Sequence, residues 1–358
     1  MQNMNAKIQH WKGKVGNVKQ LGGIETAILD NGTGKGVRIA NIDTGAGFRY
    51  QLVLDRAMDI STAHFGEHGL AWISQVGITP PAPFTADGID WLSTFGGGLL
   101  TTCGLSHVGG PENDEHGKRE LHGRISNNPA EIIAIKQPDI YSGDLEMYIT
   151  GLIRECSVFG PNLLLKRTIS GILGQPYLKI SDEITNISNV DAPHMLLYHV
   201  NFGWPLVDEG TQIIWNGAWE ARDGGPNNRI FNKDNDFKSC PAPMKAHSGF
   251  GEDVAFIKPS PESDDRCRAG LFNSSLGFAF RMTFDKSQLP WLINWQHWGE
   301  NEYVTALEPG TNPPYGQAQA REEGNLILLK PGESRKYELV FDILTNKKKI
   351  QSFIENKA

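Results

Sequence analysis

Short segments in which apolar and polar residues alternate recur along most of the chain. They include Val37–Ala40, Arg49–Leu54, Glu131–Ile135, Leu145–Ile149, Asn162–Ile169, Tyr177–Ile187, Met195–Phe202 and Thr211–Trp215. Further along come Phe278–Phe284, Tyr303–Leu307, Leu326–Leu329 and Lys336–Leu344. In Tyr177–Ile187, Leu178, Ile180 and Ile184 alternate with Lys179, Ser181, Glu183 and Thr185, the signature of a half-buried antiparallel strand. Helical periodicity is scarce; Ile350, Phe353 and Ile354 predict a short helical tail over about 345–358. A dozen or more strands in one domain must stack or close on themselves, so the pattern predicts an all-β fold, a large twisted antiparallel β-sandwich. No linker, charge block or repeat divides the chain, and a single domain over 1–358 is expected.

Three stretches break the alternation: Trp91–Gly110 with Gly96-Gly97-Gly98, the polar Pro111–Pro129, and Asn216–Ser260, which reads as one long polar loop. The formal charge of −7 comes with no basic patch, which argues against nucleic acid as a partner. No apolar run reaches membrane-span length, and Met1–Lys14 is polar rather than signal-like. Four widely spaced cysteines fit a reducing compartment, so a cytoplasmic protein is expected, as a monomer or homodimer.

Candidate chemistry lies where polar residues interrupt apolar strands. In Leu196–Pro205, Leu196, Tyr198, Val200 and Phe202 share one face, and Leu197, His199 and Asn201 the other. A histidine and an amide in such a segment either find internal partners or face a cleft. His122 and Arg124 sit in the polar loop, and Glu308 ends a strand in Ala306-Leu307-Glu308-Pro309-Gly310. Each has a structural reading: His199 as a satisfied core histidine, Glu308 as a turn carboxylate. Together, a histidine and a glutamate make an acid–base pair that works near neutrality. His116, Glu120 and His122 lack the helix-borne spacing of a metal site, and no metal is expected. Phosphate-loop, dinucleotide and Gly-x-Ser-x-Gly motifs are absent from the sequence.

Three motifs in this order resemble the aldose 1-epimerase (galactose mutarotase) superfamily, over about residues 20–345. Tyr198-His199-Val200-Asn201-Phe202-Gly203 is similar to the segment carrying that family's general-acid histidine. Gly96–Gly104 followed by Leu121-His122-Gly123-Arg124 resembles its glycine-rich segment and sugar-binding His-Gly motif. Leu307-Glu308-Pro309 matches the motif of its catalytic base. The resemblance implies a galactose mutarotase-like supersandwich that interconverts the anomers of a monosaccharide or sugar derivative without a cofactor. His199 would be the acid, Glu308 the base, and His122 and Arg124 would hold ring hydroxyls. Asn201 would orient the imidazole or a hydroxyl. Trp298, in the aromatic segment Trp291–Trp298, would supply an apolar platform, with Trp291 and Trp295 assigned rather to core packing. The chain departs from the family at Leu197-Tyr198, where an asparagine is usual, and at Ser126, where a hexose-6-phosphate branch has arginine. Arg56 and Asp59 read as a buried ion pair supporting a turn, with substrate contact by Arg56 as the alternative. Epimerisation at another sugar carbon, or a non-catalytic carbohydrate-binding sandwich, remain open.

Overall fold

A computed structural model describes residues 2–82, 88–222 and 229–355. Three antiparallel sheets carry the fold. The first is a meander of five consecutive strands from Gly23–Ile28 to His68–Gly69. The second has eight strands, in the spatial order Gln212–Ile214, Arg266–Asn273, Phe278–Asp285, Ser334–Leu344, Tyr177–Asn186, Leu163–Ile172, Glu146–Glu155 and Ala130–Lys136. The third runs Gly217–Ala221, Asp253–Pro259, Trp291–Gly299, Glu302–Gly310, Ala192–Phe202 and Ile327–Leu329, with Thr101–Leu105 also paired to Ala192–Phe202. This is the large antiparallel sandwich that the alternation predicts.

One continuous core joins the three sheets. Phe202 of the third sheet meets Phe280 of the second at 4.9 Å between ring centroids, and Phe280 meets Phe341 at 5.1 Å. Ala192–Phe202 departs from the half-buried expectation, because both of its faces are covered. Tyr198, Val200 and Phe202 enter the main core, while Met195 and Leu197 join a second cluster with Trp91, Phe95, Cys103 and Val108. A residue on that second face can be apolar packing or site chemistry, depending only on what covers it.

A buried ion network pins the third sheet to the second. Arg167, fully buried, donates Nε and Nη2 to Asp182 at 2.9 and 2.7 Å, and Nη1 to Thr102 Oγ1 at 2.8 Å. Its Nη1 also lies 3.2 Å from Asp59 Oδ1, and the Tyr198 hydroxyl donates to Asp182 at 2.7 Å. Tyr198 thus ties the His199 strand to the opposite sheet. The expected Arg56–Asp59 ion pair is corrected here. Asp59 is held by Arg167 and by Thr102, whose amide and hydroxyl donate at 3.0 and 2.6 Å. Arg56 donates instead to Ser126 O, Thr79 Oγ1 and Thr94 O.

Two further expectations change. Asn216–Ser260 is not one loop, since it contains the strands Gly217–Ala221 and Asp253–Pro259; residues 223–228 within it lie outside the described residues. Asp253–Pro259 is buried on both faces and so shows no alternation. The polar start forms the helix Gln2–Lys12, in which Ile8 and Trp11, one turn apart, pack on Leu173, Ile140 and Leu145. The tail helix spans Lys347–Glu355 and buries Ile350 and Phe353 as expected; residues 356–358 lie outside the described residues. All four cysteines are unpaired, and no helix among the described residues is long and apolar enough to cross a membrane.

Candidate active site

Strand register brings the proposed acid and base together. Leu197 pairs with Gly310 and Val200 with Leu307, which sets His199 beside Glu308 on neighbouring strands. Glu308 in turn pairs with Ile293 on the next strand. Because side chains alternate across a strand, His199, Glu308 and Ile293 all project from one face. His199 Nε2 lies 3.3 Å from Glu308 Oε1. Both side chains line a cleft of about 720 Å³.

His122 reaches the same cleft from the polar loop. Its backbone is left-handed at φ 58°, as is Gly123 at φ 70°. His122 N donates to Gly109 O and His122 O accepts from Gly104 N, fastening the loop to the Thr101–Leu105 strand. A side chain at Gly123 would strike Gly104 O at 2.4 Å, so the close approach requires glycine. The His122 ring lies edge-on to Trp91 at 5.2 Å and 6.2 Å from the His199 ring.

The glycine run Gly96-Gly97-Gly98 serves the same assembly. Gly98 O accepts from Asn201 Nδ2 at 3.0 Å, and a Cβ at Gly98, where φ is 91°, would meet Ile60 O at 2.4 Å. Gly98→Ala is therefore expected to cost about 1–3 kcal/mol, the range for a strained backbone site. Urea midpoints measure it, and a wild-type midpoint would show that the segment relaxes freely.

Four sequence-predicted site residues do not line the cleft. Trp298 is a correction: it is fully buried in the main core, donates to Gln296 Oε1 at 3.0 Å and packs on Tyr303. Alternation along Trp291–Gly299 explains this. Ile293, Trp295 and His297 face the cleft, while Leu292 and Trp298 face the sandwich. The tryptophan of this strand that lines the cleft is Trp295, expected from the sequence to serve core packing. Arg124 is a second correction, because the left-handed His122-Gly123 turn redirects the chain. It caps the short turn Ile125–Asn127 and interacts with Glu120 and Cys156, outside the cleft. Arg56 is the third. It lines a separate small cavity of about 140 Å³, where burial lowers its pKa to about 10 despite nearby Asp59. Asn201 is the fourth correction: it shares the strand face of His199 but is fully buried, and donates to Gly98 O and His199 O.

The structure adds residues that spacing did not single out. Phe95 and Trp295 flank His199 at 5.3 and 5.6 Å, Trp91 stacks on Phe95 at 4.4 Å, and Trp72 adjoins both Phe95 and Trp295. Glu252 accepts from Trp295 Nε1 and from Arg222 Nη1, each at 2.6 Å. An aromatic beside the His199 strand carries no period that separates cleft from core, so only contacts reveal these.

Burial sets the electrostatics. Desolvation lowers the His199 pKa to about 4, opposed by Asn201, and lowers His122 to about 3, reinforced by His199 and His107. Glu308 moves the other way, well above the usual carboxylate range, through burial and the nearby Glu252, with Arg222 opposing. His199 Nδ1 and His122 Nδ1 have no hydrogen-bond partner, and Glu308 Oε1 has only the 3.3 Å approach of His199 Nε2, which leaves polar atoms for a ligand. The described residues hold no cluster of three or more metal-ligating side chains.

These shifts predict acid lability. His122, His199 and His194, the last also lowered to about 4 by burial, stay neutral when folded. The unfolded chain takes up those protons from about pH 6.5 downward, so stability is lost as pH falls toward the folded values. Glu308 acts in the opposite sense, leaving a net loss of roughly 2 kcal/mol per pH unit between pH 6 and 5. Denaturant midpoints at pH 7, 6 and 5 test this; no fall between them would contradict the neutral buried histidines.

Residues 34–343 match the family described as a domain of unknown function, DUF4432. No curated protein matches the chain in sequence. Among solved structures, a candidate aldose 1-epimerase from Klebsiella pneumoniae superposes with a TM-score of 0.82 at 23% identity, over 96% of this chain and 92% of that one. A galactose mutarotase-like protein from Clostridium acetobutylicum gives 0.62 at 12% identity, over 89% and 98%. A galactose 1-epimerase from Lactobacillus acidophilus gives 0.57 at 12% identity, again over 89% and 98%. At these identities the likeness concerns the fold. The chain has the galactose mutarotase-like fold, and it belongs to the DUF4432 family.

Proposed function

We propose that this protein is an isomerase of the aldose 1-epimerase type, interconverting the anomers of a sugar by general acid–base ring opening and closure. The observation that carries the reading is the 3.3 Å approach of His199 Nε2 to Glu308 Oε1 within an open cleft. Anomer exchange requires proton removal from the anomeric hydroxyl and proton delivery to the ring oxygen. Both oxygens are bonded to one carbon, so acid and base must act within a few ångströms of each other.

Glu308 accepts the hydroxyl proton while His199 protonates the ring oxygen, and the pyranose opens to the aldehyde. Rotation about the first carbon–carbon bond and reclosure on the other face give the second anomer, with the roles exchanged. The pair thus needs one proton in total. A lowered His199 and a raised Glu308 favour the proton on the carboxyl at rest, the arrangement in which histidine is base and glutamic acid the donor. Both arrangements belong to the same cycle, and its reverse half starts from this one. Activity then extends from a lower limb near pH 4, set by His199, to an upper limb set by the raised Glu308. His122 offers its free Nδ1 to a ring hydroxyl, and Trp295 gives an apolar face to the ring. The sugar's own carbonyl holds the intermediate, so this cycle uses no cofactor. Unpaired cysteines fit action in the cytoplasm.

Exchange NMR on free sugars tests the reading. His199→Asn is expected to slow exchange by about 10²–10⁴-fold on any sugar the protein turns over. Wild-type rates in that variant would overturn the assignment. Saturable sugar binding without accelerated exchange would make the protein a binding module.

A further inference from the structure

We infer that the cleft selects an uncharged, partly deoxygenated sugar over its fully hydroxylated or phosphorylated counterpart. The inference rests on the acid–base reading of His199 and Glu308, and it concerns what surrounds them.

The substituents nearest the reacting carbon must lie beside those two side chains. The groups found there are mostly unable to accept or donate hydrogen bonds. Phe95 lies 5.3 Å from the His199 ring on one side, and Trp295 5.6 Å away on another. Ile293 pairs with Glu308 itself. The Trp295 N–H is already committed to Glu252 at 2.6 Å. The polar neighbour of the pair is His122, whose ring lies 6.2 Å from that of His199 and whose Nδ1 has no hydrogen-bond partner. A hexose ring carries hydroxyls on every carbon but the one in the ring closure. Enclosed against this wall, some lose water without gaining a partner, and each such loss weakens binding by about tenfold. A methyl or methylene at the same place gains contact with the rings instead.

Charge points the same way. Among the described residues, the cleft lining holds the carboxyl groups of Glu252, Glu302 and Glu308 and one arginine, Arg222, whose guanidinium is paired with Glu252 at 2.6 Å. Phosphate recognition uses arginine forks or lysines, and here an anion would face acidic groups.

Matched sugars provide the test: D-fucose against D-galactose, 6-deoxyglucose and 2-deoxyglucose against glucose, L-rhamnose against L-mannose, with glucose 6-phosphate as the anion. Exchange NMR gives kcat/KM for each, and saturation-transfer NMR on His199→Asn gives binding independent of turnover. The expected result is at least a tenfold preference for a deoxy member in one or more pairs, by rate and by binding, and no response to the phosphate. Phe95→Tyr, which sets a hydroxyl in the wall, is expected to narrow that gap. Equal or greater activity on the hydroxylated members, dependent on Glu308, would overturn the inference while leaving the anomerase reading intact. Deoxy-selective binding without exchange would overturn the anomerase reading and keep the selectivity. Absence of both binding and exchange across the series would overturn both.

Discussion

Replacing Arg167 with methionine is expected to destabilise the protein by about 3–5 kcal/mol, the cost of leaving a buried ion without its partner. Asp182 is fully buried and takes two of the guanidinium nitrogens, and Asp59 takes a share of the third. Without the cation, both carboxylates must be protonated or bring water into the core. A loss of that size is a large part of the 5–15 kcal/mol that holds a typical domain together. Adding Asp182→Asn and Asp59→Asn to Arg167→Met removes the uncompensated charges and is expected to recover part of the loss. Urea unfolding of the single and triple variants measures both effects. A single variant within 1 kcal/mol of wild type would show that the network contributes little. The consequence reaches the site, because Tyr198 and Thr102 of this network stand beside His199 and Thr101, which pair across the strands.

Glu308→Gln separates chemistry from stability in the opposite way. Anomer exchange is expected to fall by about 10²–10⁴-fold, because glutamine cannot take the proton. Folding, by contrast, is expected to improve at alkaline pH. Glu308 has a folded pKa above its unfolded value, so its stabilising contribution is complete below the usual carboxylate pKa. That contribution is lost as pH rises through the folded value. Glutamine keeps the shape and does not ionise. The melting temperature of the variant should therefore gain on wild type between pH 5 and 9, while activity is lost throughout. A variant that loses stability as pH rises, in parallel with wild type, would mean that Glu308 is not the group being held protonated.

The fates of individual residues show what could be read without coordinates. Tyr177–Asn186 alternates in sequence and is buried on alternate positions in space, since a strand with one solvated face writes its geometry into its composition. Ala192–Phe202 is covered on both faces, so its alternation could say only that His199 leaves on the side of Leu197, not that this side opens to a cleft. Trp295 and Trp298 have the same chemistry and neighbouring positions; strand parity placed one in the cleft and the other in the core. Arg124 and Arg56 were plausible by proximity in sequence, but a left-handed turn and a set of carbonyl acceptors took them elsewhere. Glu252 and Arg222 gave no signal, since an ion pair 30 residues apart has no local spacing.

The sequence by itself determined the all-β class and, through three ordered motifs, the histidines and the glutamate worth testing. Local periodicity and residue chemistry suffice for that, because each strand records its own two faces. Only the tertiary structure decided that His199 and Glu308 meet at 3.3 Å, with His122 across from them and a ring of aromatics around them. Those contacts depend on the register of strands that are far apart in the chain, and on which of two apolar faces the rest of the fold leaves uncovered.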